Sequence, residues 1–474
     1  MRARGILRLA CLCLAVTGFG LSAVTAQAGP PGTWTQITGF GGGVTGGEEL
    51  GLERTSDGVL HVAWSRAPRS GAPNLLHSAL SANARTVSGP NLIVAPSLGL
   101  NPRVDLVGGP GGGLRVFFSG LSDAPFSDRM GTATSGRDGR TWALQTAPAS
   151  NGTFGGGSPV YAAAGISAMM GAGGVPISMW GDSAPGASGY HVGVDPSTPD
   201  FHFGTGCCSS DPNGAREAGT GRIFYGWNRQ DATRTRALVQ AAGEPAQEVP
   251  NSQATQIGQR LGITGRIGSR GVYVAYTAGE NRFDGVPALW RVGDPEPLYI
   301  SSRRGARHTT AAPTPGGHVW VMWAREGRIW AGRTNPRGTT PGRVRPVTPP
   351  GGTVVIRNLT GEASRGAVDL FALVDRGARG SGYWHQRLLP PLAVAASPGR
   401  LSTRGGTVVV RVTDGGRGVG GALVRLRIGS RTVQARTGPD GRARIATGAA
   451  GRGTYTVTAS ARGFSDGSAP LRIA

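Results

Sequence analysis

The chain has 474 residues, room for two or three domains with sizeable cores. Its formal charge is +22 and all 49 basic residues are arginine, which excludes Schiff-base and lysine general-base chemistry. Glycine, at 82 residues, has more than twice its usual share and falls at the ends of apolar runs, which marks turns and not a low-complexity tract.

Residues 1–28 read as a secretory signal. Arg2, Arg4 and Arg8 precede an apolar stretch that ends at Ala26-Gln27-Ala28, a small-residue cleavage pattern. The expectation is a secreted, extracellular protein whose mature chain starts at Gly29, released or held at the cell surface by a non-covalent contact. Neither Cys11 nor Cys13 has the surroundings of a lipoprotein site, and no transmembrane segment is expected, since no later stretch is long and apolar enough.

One phrase then recurs seven times, a glycine turn followed by an apolar run that usually closes on an aromatic. The copies are GVLHVAW (58–64), GGLRVFF (112–118), GVPISMW (174–180), GRIFYGW (221–227), GVYVAY (271–276), GHVWVMW (317–323) and GAVDLFAL (366–373). Their spacing of about 50 residues belongs to repeat architectures in which no unit buries its own faces. A short segment such as GLERTSD or PRVDLVGG precedes each phrase, and further apolar runs such as NLLHSAL and NLIVAP follow it. Four short strands per unit, separated by turn residues, predict an all-β fold with a seven-bladed β-propeller over residues 29–391. The seventh unit runs from GYWHQRLLPP into a linker without a fourth strand, and TWTQITG (33–39) is expected to supply it, which removes an open sheet edge. Trp64, Trp180, Trp227 and Trp323 recur in register and are expected to pack between units, whereas Trp290, Trp330, Tyr190 and Trp384 lie off it and are surface candidates.

After Pro390-Pro391 the period stops. Residues 392–474 read as short alternating strands (TVVVRVTD, ALVRLRIG, TVQART, ARIATG, YTVTASA, LRIA) and predict a small β-sandwich. This segment holds 13 arginines against Asp414, Asp440 and Asp466, a field that draws polyanions such as an anionic cell-wall polymer and weakens with salt. Nucleic acid is not an expected partner, because no nucleic-acid motif accompanies the charge. The order GVGGALVRL, TGPDGRARI, GTYTVTASARGF, with a T-x-x-D-G-x-A turn at 437–443, resembles bacterial immunoglobulin-like and carboxypeptidase regulatory-like sandwich modules. That resemblance implies an accessory adhesive or spacer module without catalytic residues.

SGRDGRTW (135–142) is similar to the Asp-box of sialidase-like propellers, with Arg137 in the aspartate position and Asp138 one residue late. The resemblance implies a propeller and, in its sialidases, an arginine cluster beside a tyrosine–glutamate pair. No Arg-Ile-Pro stands near the first unit, so no catalytic residue is carried over. Ligand-binding candidates near the inner ends of the units are Arg103, Tyr161, Cys207, Cys208, Glu217, Arg260, Arg307 and His308. Adjacent Cys207 and Cys208 would form either a strained disulfide, a rigid apolar platform, or two thiols. The seven histidines lack ligand spacing apart from His191 and His202, so neither a metal nor another cofactor is expected. The leading functional expectation is binding of an extracellular glycan or protein. The alternatives are a sialidase-like glycoside hydrolase and a non-catalytic adhesin or spacer.

Overall fold

The computed structural model describes residues 26–27, 31–39, 50–66, 74–84, 86–94, 103–121, 129–145, 153–154, 158–159, 165–171, 174–182, 189–193, 201–204, 209–230, 234–255, 259–281, 283–351, 355–377 and 381–474. Among these the protein is all-β, and no helix is long and apolar enough to cross a membrane.

Among the described residues, seven antiparallel sheets of four or five strands follow one another along the chain, with a two-stranded pair, Thr153–Phe154 with Ser158–Pro159, between the second and third. Their strands are paired in sequence order from a leading strand outward, except that N-terminal strands take the outer edge of the first and seventh. The leading strands are Leu50–Arg54, Val104–Gly108, Ile166–Met170, Ser209–Arg216, Gly262–Gly265, Arg307–Pro313 and Val355–Arg365. The seven repeated phrases form the second strands, from Leu60–Arg66 in the first sheet to Ala367–Asp375 in the seventh. These strands do not alternate between core and solvent. Val272–Ala278 is buried throughout and Val319–Arg325 is buried up to its terminal arginine. A second strand is flanked on both edges by its own sheet and on both faces by neighbouring sheets, so apolar residues are required on either side. Trp64, Trp227 and Trp323 are buried at equivalent places. Trp290, expected at the surface, is also buried, because its indole donates to the Asp294 carbonyl at 2.7 Å in the following turn and its ring packs between the fourth and fifth sheets.

Each leading strand lies beside the leading strand of the next sheet, and that of the seventh sheet lies beside that of the first. The N-terminal strand Thr35–Gly39 pairs antiparallel with Ser381–Leu388 and becomes the outermost strand of the seventh sheet. It is anchored before it begins: Gly32 N–H donates to Arg387 O at 3.0 Å and the Trp34 indole donates to Thr348 O at 2.6 Å. Ile37 packs on the cluster of Leu50, Trp64, Phe371 and Tyr383, which joins the first sheet to the seventh. Residues Ala26–Gln27, at the expected cleavage site, pair with the outer strand Thr86–Val94 of the first sheet.

Beyond Leu388 two further sheets share one core. Val408, Val410, Val412 and Ile445 come from one, and Val424, Leu426, Val457 and Leu471 from the other. Leu423–Ile428 shows the period-two burial of a strand with one solvated face. This unit is fastened to the sixth sheet by an ion pair between Arg333 and Asp414 and by Arg345, whose guanidinium donates to Ser465 Oγ at 3.2 Å and to Leu389 O at 2.6 Å.

A chain that begins only after Gly39 loses a full edge of hydrogen bonds together with Ile37 and Trp34. Its melting temperature is expected to fall by about 5 °C or more, with concentration-dependent association through the exposed edge. Calorimetry and size-exclusion chromatography check this, and an unchanged melting temperature would show the strand to be dispensable.

Candidate functional site

Residues of six leading-strand segments enclose a cavity of about 220 Å³, with Leu50 and Leu52 from the first sheet, Asp105 from the second, Asn213 from the fourth, 260–264 from the fifth, Thr310 and Pro313 from the sixth, and 358–362 from the seventh. The strand period places Leu50 and Leu52, two residues apart, on the side that faces it. Its wall is a mixture of leucine, isoleucine, glycine, threonine and asparagine with three charged residues, Asp105, Arg260 and Glu362.

Arg260 reaches from the fifth sheet toward the second and third. Its Nη1 lies 3.0 Å from Asp105 Oδ2, and Nη2 donates to Val104 O at 3.2 Å and Ile166 O at 2.6 Å. Asp105 also accepts from the amides of Leu106 at 2.9 Å and Ala168 at 2.7 Å. A buried carboxylate supplied with a guanidinium and two amides is a satisfied charge, and its removal from one side strands the other. Glu362 is likewise engaged, by Arg54, which also contacts Asp369 and donates to Gly58 O at 2.8 Å. Gly58 needs its left-handed φ of 92°, and a Cβ there would strike the Arg365 guanidinium.

Asp369 sits at the centre of this network. His385 Nε2 lies 2.8 Å from Oδ1, and Arg387 forms a fork with Nε to Oδ1 at 2.9 Å and Nη2 to Oδ2 at 2.7 Å. Burial alone pushes its carboxyl up, but the hydrogen bonds and charge of His385 and Arg387 outweigh this and hold it well below the usual range. Glu53, next to Arg54, behaves oppositely. Burial pushes its carboxyl up to about 7, the charges of Glu362 and Asp105 add to this, and a hydrogen bond from the Gly108 amide opposes it. Glu53 is not among the residues that line the cavity.

Of the sequence candidates, Arg260 lines the cavity. Arg103 lies partly buried just before the second leading strand. Glu217 accepts from Gly271 N–H at 2.8 Å and Thr220 Oγ1 at 2.6 Å, which ties the end of the fourth leading strand to the hairpin of the fifth sheet. Arg307 is exposed over the Phe283 ring, its guanidinium carbon 6.0 Å from the centroid. His308, at a φ of 52°, sits where the register shifts between Arg307 and Thr310. Burial and the charges of Arg307 and Arg357 lower its imidazole to about 4. Tyr161, Cys207 and Cys208 lie outside the described residues. The structure therefore brings Arg260 into the cavity and leaves Glu217, Arg307 and His308 away from it.

Sequence reasoning missed a histidine pair. His61 and His77 are buried in the first sheet with Nδ1 and Nε2 3.0 Å apart and near-parallel rings at 5.2 Å. The hairpin register, Ala63 opposite His77 and His61 opposite Ala79, makes them diagonal neighbours, which could have been inferred once the hairpin was drawn. Burial holds them down to about 4 and about 3 respectively, as two neutral rings. The SGRDGRTW hairpin packs here: Trp142 lies 5.4 Å from His77, and Gly139, at a φ of 63°, has no room for a Cβ beside that ring. In this loop Ser135 Oγ donates to Thr141 O at 2.6 Å and Asp138 accepts from Arg140 N–H at 3.2 Å, so the stretch works as a turn.

No protein-family model matches the chain, and no curated protein matches it. Among solved structures it is similar to the Aleuria aurantia lectin, described as a six-bladed β-propeller with fucose recognition, at 15% identity over 65% of this chain and 98% of that one, with a TM-score of 0.41. An α-L-arabinanase of Penicillium chrysogenum gives 15% identity over 67% and 99%, with a TM-score of 0.42. A polysaccharide lyase, the PL25 ulvan lyase, gives 9% identity over 72% and 94%, with a TM-score of 0.43.

Because the folded pKa of Glu53 lies above its unfolded value, the native state holds an extra proton between about 4.5 and about 7. Its contribution to stability is therefore full below about 4.5 and lost as pH rises through about 7. Glu53→Gln is expected to flatten this decline and to be more stable than the parent at pH about 8. Urea midpoints at several pH values check it, and parallel profiles for parent and variant would assign the decline elsewhere.

Proposed function

We propose that the chain is a secreted seven-bladed β-propeller, closed by its N-terminal strand and followed from residue 392 by an immunoglobulin-like sandwich, and that it binds an extracellular glycan. The observation that supports binding over hydrolysis is the state of charge in the central cavity. Asp105 and Glu362 each face a guanidinium and Asn213 is bonded to Ser167, Gly214 and Leu261, so what remains for a ligand is a wall of leucine, isoleucine and threonine around neutralised charges. Such a wall suits the apolar faces and hydroxyls of a sugar. Among the described residues the cavity brings in one arginine, Arg260, where a sialidase-like site would gather three.

A hydrolase remains the second reading, favoured by Glu53, whose carboxyl is pushed up to about 7 by burial and by the two further carboxylates Glu362 and Asp105. Against it stands the position of Glu53 outside the cavity wall. A glycan array probed with the full chain, together with a fluorogenic sialoside panel, separates the two. Retained glycan without release of fluorophore is expected, and turnover abolished by Glu362→Gln would replace the binding reading with the enzymatic one.

The sandwich is proposed to hold the protein near an anionic envelope. All 13 of its arginines are exposed. No acidic residue occurs in any strand of its five-stranded sheet, whose outer face sets Arg425 opposite Thr458, Thr458 opposite Ser468, and Arg472 between Thr454 and Arg400. Adsorption to anionic cell-wall material is expected to fall steeply with salt and to weaken when Arg425, Arg427 and Arg472 are changed together to Gln. Retention equal at low and high salt would remove the electrostatic role.

A further inference from the structure

A second cavity, of about 150 Å³, shares no lining residue with the first. It lies where the fifth sheet passes into the sixth and is lined by Ser301, Arg303, Trp323, Arg325, Trp330 and Val344. Trp323 and Trp330 are direct cross-strand partners, the former fully buried and the latter half-buried. The Arg303 guanidinium lies 5.6 Å from the centre of the Trp330 ring, and among the described residues no carboxylate pairs with it. Arg325 is held at Nη2 by Glu326 at 2.6 Å. Its Nε and the Trp330 Nε1 are buried and find no acceptor among the described residues.

A buried N–H without an acceptor forfeits its hydration and gains nothing in return, and native proteins rarely leave two in one place. Both belong to residues that line this cavity, and the exposed Arg303 guanidinium, without a carboxylate partner among the described residues, stands beside them. The wall is therefore rich in donors and positive charge, with the Ser301 hydroxyl as its one side-chain acceptor, and aromatic on one side. A molecule that complements it carries several acceptor oxygens, a negative charge and a flat apolar face, and is no larger than one ring. We propose that this cavity binds a carboxylate-bearing sugar, a hexuronate residue of an acidic polysaccharide, with its carboxylate toward Arg303 and Arg325 and its ring against the tryptophans. This narrows the glycan class proposed above but uses a different site, so each can fail without the other.

The test follows the Trp330 indole N–H by NMR in the full chain labelled with ¹⁵N-tryptophan, the resonance being assigned by its loss in Trp330→Phe. Methyl β-D-glucuronide is expected to shift it saturably, with methyl β-D-glucoside at least about tenfold weaker, the cost of losing a charge-assisted pair. Arg303→Gln, at an exposed position, should weaken the glucuronide by a similar factor, while Arg304→Gln should not. An unmoved resonance, equal response to the two glycosides, or indifference to Arg303→Gln would each overturn the proposal. Acetate matching the glucuronide would overturn the sugar assignment. A neutral-glycan array that stays blank while Trp330 responds would sink the central-cavity reading and leave this one standing.

Discussion

One buried carboxylate holds the first and seventh sheets in place. Asp369, with a side chain 1% exposed, is met by Arg54 from the first leading strand and by His385 and Arg387 from the strand that also pairs with the N-terminal segment. Arg387 goes further and donates to Ala82 O at 3.0 Å, in the outer hairpin of the first sheet. A charge so far from water is tolerated only while every partner is in position. The network therefore fixes the distance between the first and seventh leading strands, and with it the wall that Leu50, Leu52 and Glu362 contribute to the central cavity. Arg260 and Asp105 do the same across the cavity, between the fifth and second sheets.

The architecture was legible wherever it repeats. The second strands announced themselves through a glycine turn and an apolar run at a fixed period, and the missing outer strand of the seventh sheet pointed to TWTQITG. The chemistry was less so. Arg260 was picked out by its place near a leading strand, but its partner Asp105 and the carbonyls it bonds lie up to 156 residues away, and no local pattern encodes that encounter. Glu217 looked like a group aimed at the centre, yet a strand end needs its amides satisfied and the carboxylate was nearest. Trp290 looked exposed because it falls off the aromatic register, whereas a turn carbonyl was available to its indole. The histidine pair depends on a hairpin register that spacing along the chain does not reveal.

Arginine serves two opposite purposes in the two halves. In the seven-sheet part, Arg54, Arg260, Arg333 and Arg387 are drawn inside and matched with carboxylates or carbonyls as structural ties. In the last two sheets none is buried, and they stand out in rows with threonine and serine between them. A planar guanidinium suits both uses, since its fork of donors grips a carboxylate inside and its weak hydration favours contact with anions outside.

The pairing of Thr35–Gly39 with Ser381–Leu388 also sets a timetable. Gly32 and Gln386, which meet through a hydrogen bond beside that pairing, are 354 residues apart in sequence. A strand made almost first finds its partner only after nearly every other sheet has been synthesised, and loop-closure entropy must be met before the contact gives anything back. Until then the seventh sheet has one strand too few, and the edge that Ser381–Leu388 presents stays open to any other strand.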